Sequence, residues 1–146
     1  MGNLASFGSF TSFQDLNTFT LGKAGGEILQ SRSGHLDVAD AASLAMHVEI
    51  FSLDDGGHLY LETAVAEEGP WMPLAQWSHA VDDSTPPVPI VQDETIQLST
   101  YYSATYRLLR FVRWRFTYEF SVDDPYAEPV PGAVSFRMRY QMTAPA

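Results

Sequence analysis

The chain has 146 residues, with 8 Lys and Arg against 18 Asp and Glu, a formal net charge of −10, and no cysteine. That length suits one domain, or one domain with an arm. Without cysteine there is no disulfide framework, no thiolate metal site and no cysteine nucleophile. The acidity argues against a broad basic face for nucleic acid, and no apolar run approaches the roughly 18 residues of a membrane span. Neither nucleic acid nor a membrane is therefore an expected partner.

The opening residues Met1-Gly2-Asn3-Leu4-Ala5-Ser6 fit an N-myristoylation pattern with Gly2 as acceptor. A single acyl chain holds a membrane only marginally without a basic patch, and the first 22 residues hold no Lys or Arg. The same lack of charge argues against a secretory signal. Residues 1–16 mix Gly, Ser, Thr and Asn with Phe7, Phe10 and Phe13. They are expected as an N-terminal arm ahead of a domain over 17–146, with the three rings lying on the chain's own domain or on a neighbouring subunit, because a Phe-rich tail left in water promotes aggregation.

From residue 17 the pattern has period two. Short strands are predicted before Gly22, over Glu27–Ser31 and over His35–Val38. Ser43–Leu53 is a clearer strand, with Leu44, Met46, Val48 and Ile50 on one face. Asp54-Asp55-Gly56-Gly57 carries a hairpin signal, and His58–Ala66 is its expected return strand. Trp71–Ala80 follows as a broken strand, where Pro73 favours an edge or a bulge. After the Pro-rich loop over 82–89, a strand is expected around Thr95–Leu98. Val112, Trp114, Phe116, Tyr118 and Phe120 alternate with Arg113, Arg115, Thr117 and Glu119. Val134, Phe136, Met138, Tyr140 and Met142 alternate with Ser135, Arg137, Arg139 and Gln141. About eight strands separated by short turns predict an all-β fold, an antiparallel β-sandwich of jelly-roll or immunoglobulin-like type.

Charge is unevenly spread. Residues 1–106 sum to −12 and residues 107–146 to +2, the latter through six arginines. Arg113, Arg115, Arg137 and Arg139 all fall on outward faces. If the two strands are neighbours, they form a basic stripe, which is either a solvated face with cross-strand acid partners or a docking surface for an acidic partner or a second copy of the chain.

His35, His47, His58 and His79 lack the spacing of a helical metalloprotease motif. His47 and His58 face each other if Asp54–Gly57 closes a hairpin, but no third metal ligand is specified. Asp54-Asp55, Asp82-Asp83 and Asp123-Asp124 are turn-forming pairs without calcium-loop spacing. There is no nucleophile elbow and no phosphate-binding glycine loop. The expectation is a protein that is not an enzyme and needs neither metal nor cofactor. Trp71 and Trp77, with several tyrosines, are the candidates for a sugar-stacking platform, the alternative function.

The run SLAMHVEIFSL–DDGG–HLYLETAV, followed by EEGPWMPLAQWS and later by LLRFVRWRF, resembles the plan of small β-sandwich structural proteins of tailed bacteriophages. Glu68, Gly69 and Trp71 match an acidic-Gly-x-Trp turn, and Leu109–Trp114 match an L-R-[FY]-V-R-[WA] strand. The resemblance spans roughly residues 27–143 and extends to gene-transfer particles. It implies a virion protein that decorates or stabilises a capsid, assembled in the host cytoplasm, with the major capsid protein or another virion protein as partner and with self-association. Phe7, Phe10, Phe13, Arg113, Arg115, Arg137 and Arg139 are the expected contact residues.

Overall fold

A strand that alternates apolar and polar residues needs one covered face. This chain meets that need by laying two sheets against each other. A computed structural model describes residues 10–39, 41–78, 92–99, 108–120 and 128–143. The strands are β1 (Thr11–Leu21), β2 (Gly26–Leu29), β3 (Leu36–Asp37), β4 (Ser43–Leu53), β5 (Gly57–Ala64), β6 (Met72–Ser78), β7 (Gln92–Ser99), β8 (Phe111–Tyr118) and β9 (Gly132–Thr143). A short 3₁₀ turn over Arg32–Gly34 stands between β2 and β3. The described residues contain no α-helix.

Sheet A runs β1-β9-β4-β7, and sheet B runs β2-β8-β5-β6, with β3 also paired to β8. Every pairing is antiparallel. The inward faces are those that the alternation predicts. Leu44, Met46, Val48 and Ile50 of β4 and Val134, Phe136 and Met138 of β9 meet Leu59 and Leu61 of β5 and Val112, Trp114 and Phe116 of β8. At about 25 cal/mol per Å² of apolar surface removed from water, this shared layer is the main force holding the sheets together.

The Asp54–Gly57 turn is not a hairpin. β4 pairs with β7 and β9, while β5 pairs with β6 and β8, so the turn carries the chain from one sheet to the other. Its tightness comes from the Gly57 N–H donating to the Asp54 carbonyl at 2.9 Å and from Gly56 at φ 86°, a left-handed conformation that glycine adopts without cost. Contacts to both layers fix it. The Ala133 N–H donates to the Asp54 carboxylate at 2.8 Å, and the Glu119 N–H donates to the Gly56 carbonyl at 3.1 Å.

Part of the expected arm is sheet. Thr11–Leu16 form the first half of β1, which is hydrogen-bonded along β9 with irregularities between Ser12 and Gln14 and between Gln14 and Asn17. In extended chain, neighbouring side chains point to opposite faces, so the Phe spacing of three separates the rings. Phe13 turns inward, 8% exposed, with its ring edge-on to Tyr140. Phe10 lies on the outer side, edge-on to His47 at 6.2 Å between centroids. Phe7, Gly2 and Ser6 fall outside the described residues.

Gln30 fills the gap between β2 and β3 with its own amide. Its backbone N–H donates to the Trp114 carbonyl at 3.2 Å, and its side-chain oxygen accepts the Trp114 N–H at 3.1 Å. The side-chain nitrogen donates to the Gly34 carbonyl at 2.9 Å. A buried backbone donor left unpaired costs about 1–3 kcal/mol, so a glutamine at this position maintains the ladder of β8 where its edge partner is interrupted. A second close fit lies at Gly132, where an added Cβ would stand 2.1 Å from the Tyr118 ring.

Candidate interaction surfaces

The four arginines do not form one stripe. β8 belongs to sheet B and β9 to sheet A, so Arg113 and Arg115 face outward on one side of the molecule and Arg137 and Arg139 on the other. Each pair instead surrounds a single glutamate on the neighbouring strand.

On sheet B, Glu62 stands opposite Arg113, and Tyr60 stands opposite Arg115. The Arg113 and Arg115 Nε–H groups donate to the two oxygens of Glu62 at 3.0 and 3.1 Å. Arg115 also reaches Glu27 at 3.3 Å. Each guanidinium is covered by a ring: Arg113 lies 4.2 Å from the Trp71 ring centre and Arg115 lies 4.3 Å from that of Tyr60. The centre of the cluster is shielded from solvent, with the Glu62 side chain 6% exposed and that of Arg113 14%, while Arg115 is 24% and Glu27 52% exposed.

On sheet A the same arrangement recurs. Glu49 stands opposite Arg137, and His47 stands opposite Arg139. The Arg137 and Arg139 Nη2 groups donate to the two Glu49 oxygens at 2.5 and 2.7 Å, and His47 Nε2 lies 3.4 Å from Glu49. Asp93 on β7 occupies the register position beside Glu49. Here, among the described residues, the ring that reaches a guanidinium is farther off: the Phe51 ring centre is 6.0 Å from Arg137. Their side chains are 37% and 39% exposed. The Nε atoms of both are shielded and make no hydrogen bond among the described residues. The Arg137 guanidinium, by hydrogen bond and charge and with Arg139 behind it, holds the Glu49 carboxyl below the ordinary glutamate range.

Two other arginines are neutralised at the surface. Arg32 bonds Glu67 and Glu68, each at 2.7 Å, and Arg110 reaches Asp37 at 3.2 Å, lowering that carboxyl's pKa.

The remaining candidates are dispersed. Trp77 is 4% exposed and belongs to the core, which leaves no face for a sugar, while Trp71 is half-buried under Arg113. The two rings form no platform. His47 and His58 lie on different sheets, so the cross-turn pair does not exist; His58 Nδ1 instead meets the Ser78 hydroxyl at 2.6 Å. Among the described residues no group of three or more potential ligands gathers for a metal. His79, Asp82-Asp83 and Asp123-Asp124 lie outside the described residues. An open groove of about 540 Å³ on sheet B is lined by His58, Tyr60, Thr117, Tyr118 and Glu119, with Ala24 and Gly26 beside them; of its two tyrosines, Tyr60 is stacked by Arg115 and Tyr118 is buried.

The arginines and their outward direction were legible from alternation. The glutamates were not, because Glu62 meets Arg113 across 51 residues and Glu49 meets Arg137 across 88. The signal was a repeated pair of motifs, Arg113-Trp114-Arg115 with Tyr60-Leu61-Glu62, and Arg137-Met138-Arg139 with His47-Val48-Glu49. No family model matches the chain, and no curated protein matches it.

Proposed function

We propose that this chain is a non-enzymatic structural protein of a bacteriophage-like particle, a capsid-associated protein that decorates or stabilises a coat lattice. The observation that carries the proposal is the convergence of three expected contact residues, Phe10, Arg137 and Arg139, on the outer face of sheet A. Phe10 packs on His47, His47 pairs with Arg139, and Arg139 shares Glu49 with Arg137. Phe51, 42% exposed, extends the same face. A face that carries half-exposed arginines together with Phe10 and Phe51 has the composition of a protein-binding patch. Arg113 and Arg115, sealed by Glu62 and two rings, are assigned to the body of the protein rather than to the contact, and Phe13 to its core.

The strand pairing supports the same reading. β1–β9, β2–β8, β4–β7 and β5–β6 are successive rungs of one long ribbon that doubles back between β5 and β6. Rolling that ribbon brings β9 onto β4 and β8 onto β5. We read this as a jelly roll, an architecture that recurs in viral capsid and lectin domains; by itself a fold assigns no function.

Co-sedimentation with purified particles is the test. The proposal expects near-stoichiometric copies on the particle, and absence from particles overturns it. A finer version removes residues 2–9, stopping short of Phe13, and pairs this with Phe10→Ala. Both chains are expected to remain folded and to attach at least tenfold more weakly, because many weak contacts multiply across a lattice. Attachment at undiminished strength removes this face and the leading segment from the contact.

A further inference from the structure

We propose that His35 is the pin of an acid-released latch that holds the β5–β6 turn against the edge of sheet B. His35 follows the 3₁₀ turn that links β2 to β3. Its ring meets the Trp71 ring at 70° with 5.1 Å between centroids. Trp71 ends the turn over residues 65–71, which Arg32 holds by its bonds to Glu67 and Glu68. The 3₁₀ segment and the turn are thus joined by one ring contact and one arginine fork. The seat beneath is firm, since Gln30 bonds both Gly34 and Trp114.

Both imidazole nitrogens of His35 are shielded from solvent, and among the described residues neither makes a well-formed hydrogen bond, although the Gln30 backbone lies close enough to favour the protonated ring. A neutral ring tolerates this better than an imidazolium, whose two N–H donors each need an acceptor. The charged groups that face the ring are Arg113 from β8, Arg32 from the 3₁₀ turn and Glu67 from the β5–β6 turn. Two are cations. Glu67, the favourable one, is already engaged by Arg32, as Arg113 is by Glu62. A proton on His35 is therefore relieved by swinging the ring and Trp71 apart.

Burial is the largest cause that lowers the His35 pKa, and the charges of Arg113 and Arg32 act in the same direction, against Gln30 and Glu67. The sign follows. With a folded value below the ordinary 6.5, the latch is complete above pH 6.5 and weakens as the pH falls below that value and through the folded one. Opening exposes the Trp71 indole and the Arg113 guanidinium together.

The experiment is a fluorescence titration of the full chain from pH 7.5 to 5.0, with Trp71→Phe subtracted to isolate Trp71 from Trp77 and Trp114. The expected result is a red shift of Trp71 emission beginning below pH 6.5, with unchanged far-ultraviolet circular dichroism. The shift is lost in His35→Phe and retained in His58→Gln. Constant Trp71 emission down to pH 5.0, or a shift that survives His35→Phe, overturns the latch. Should His35→Phe fail to fold, the imidazole of the unaltered chain is titrated by nuclear magnetic resonance. A His35 pKa below 6.5 that coincides with the Trp71 shift supports the latch, and a value at or above 6.5 overturns it.

Discussion

The outer faces of the two sheets carry the same constellation in different surroundings. Each has one glutamate between two arginines, in the same cross-strand register. On sheet B the group is roofed by Trp71 and Tyr60 and balanced by a second carboxylate, Glu27. On sheet A the arginines stay half-exposed. The comparison teaches that an Arg-Glu-Arg cluster is not one kind of object. Desolvation makes its glutamate indispensable on one face; access to water makes its arginines available to a partner on the other.

Removing the central anion tests that distinction most severely. Glu62→Gln leaves Arg113 and Arg115 in a shielded site with Glu27 alone, and is expected to cost about 3–5 kcal/mol. Glu49→Gln, where water reaches the guanidiniums, is expected to cost about 1–2 kcal/mol, between the values for buried and surface pairs. Urea unfolding of both variants checks the order, and equal losses would erase the difference between the faces. The rings come next. Trp71→Leu is expected to cost about 1–2 kcal/mol through lost stacking on Arg113, against about 0.5 kcal/mol or less for Phe51→Leu, whose ring is farther from Arg137. Thermal melting distinguishes them.

The smallest effect is a pH dependence. The folded pKa of Glu49 lies below the ordinary 4.5. Its stabilising contribution is thus fully present above pH 4.5 and is lost as the pH falls through the folded value. Melting temperature plotted against pH is expected to fall below 4.5, and less steeply in Glu49→Gln. Part of the fall remains in that variant, because Asp37 and Glu68 are also held below their ordinary values.

The strands were legible because burial on one face writes itself into every second residue. Leu44 to Ile50, Val112 to Tyr118 and Val134 to Met138 needed only their own neighbours to be placed. Pro73, with no N–H to donate, marked the edge strand β6 in the same local way. Sheet membership was not legible. The Asp54–Gly57 turn has the composition of a hairpin, and its crossing between sheets depends on Ala133 and Glu119, distant in the chain. The Phe10–Phe13 segment fitted an arm, until β9 supplied a ladder that sends the two rings to opposite sides. The two glutamate-centred clusters stayed hidden for the same reason: each half is an ordinary alternating strand, and only the non-local pairing makes them sites.

The borders of the sheets have a consequence for crowding. β1 is irregular at two points along its run, β2 and β3 are separated by Gln30 and a 3₁₀ turn, and β6 carries Pro73 at a shift in register. A straight, unbroken border would template another backbone and grow into fibres. These three borders are each broken by a kink, a gap or a missing donor. Copies packed at high local density can therefore touch along these three borders through side chains without fusing strand to strand, which leaves β7, paired to β4 without a shift in register, as the one regular border among the described residues.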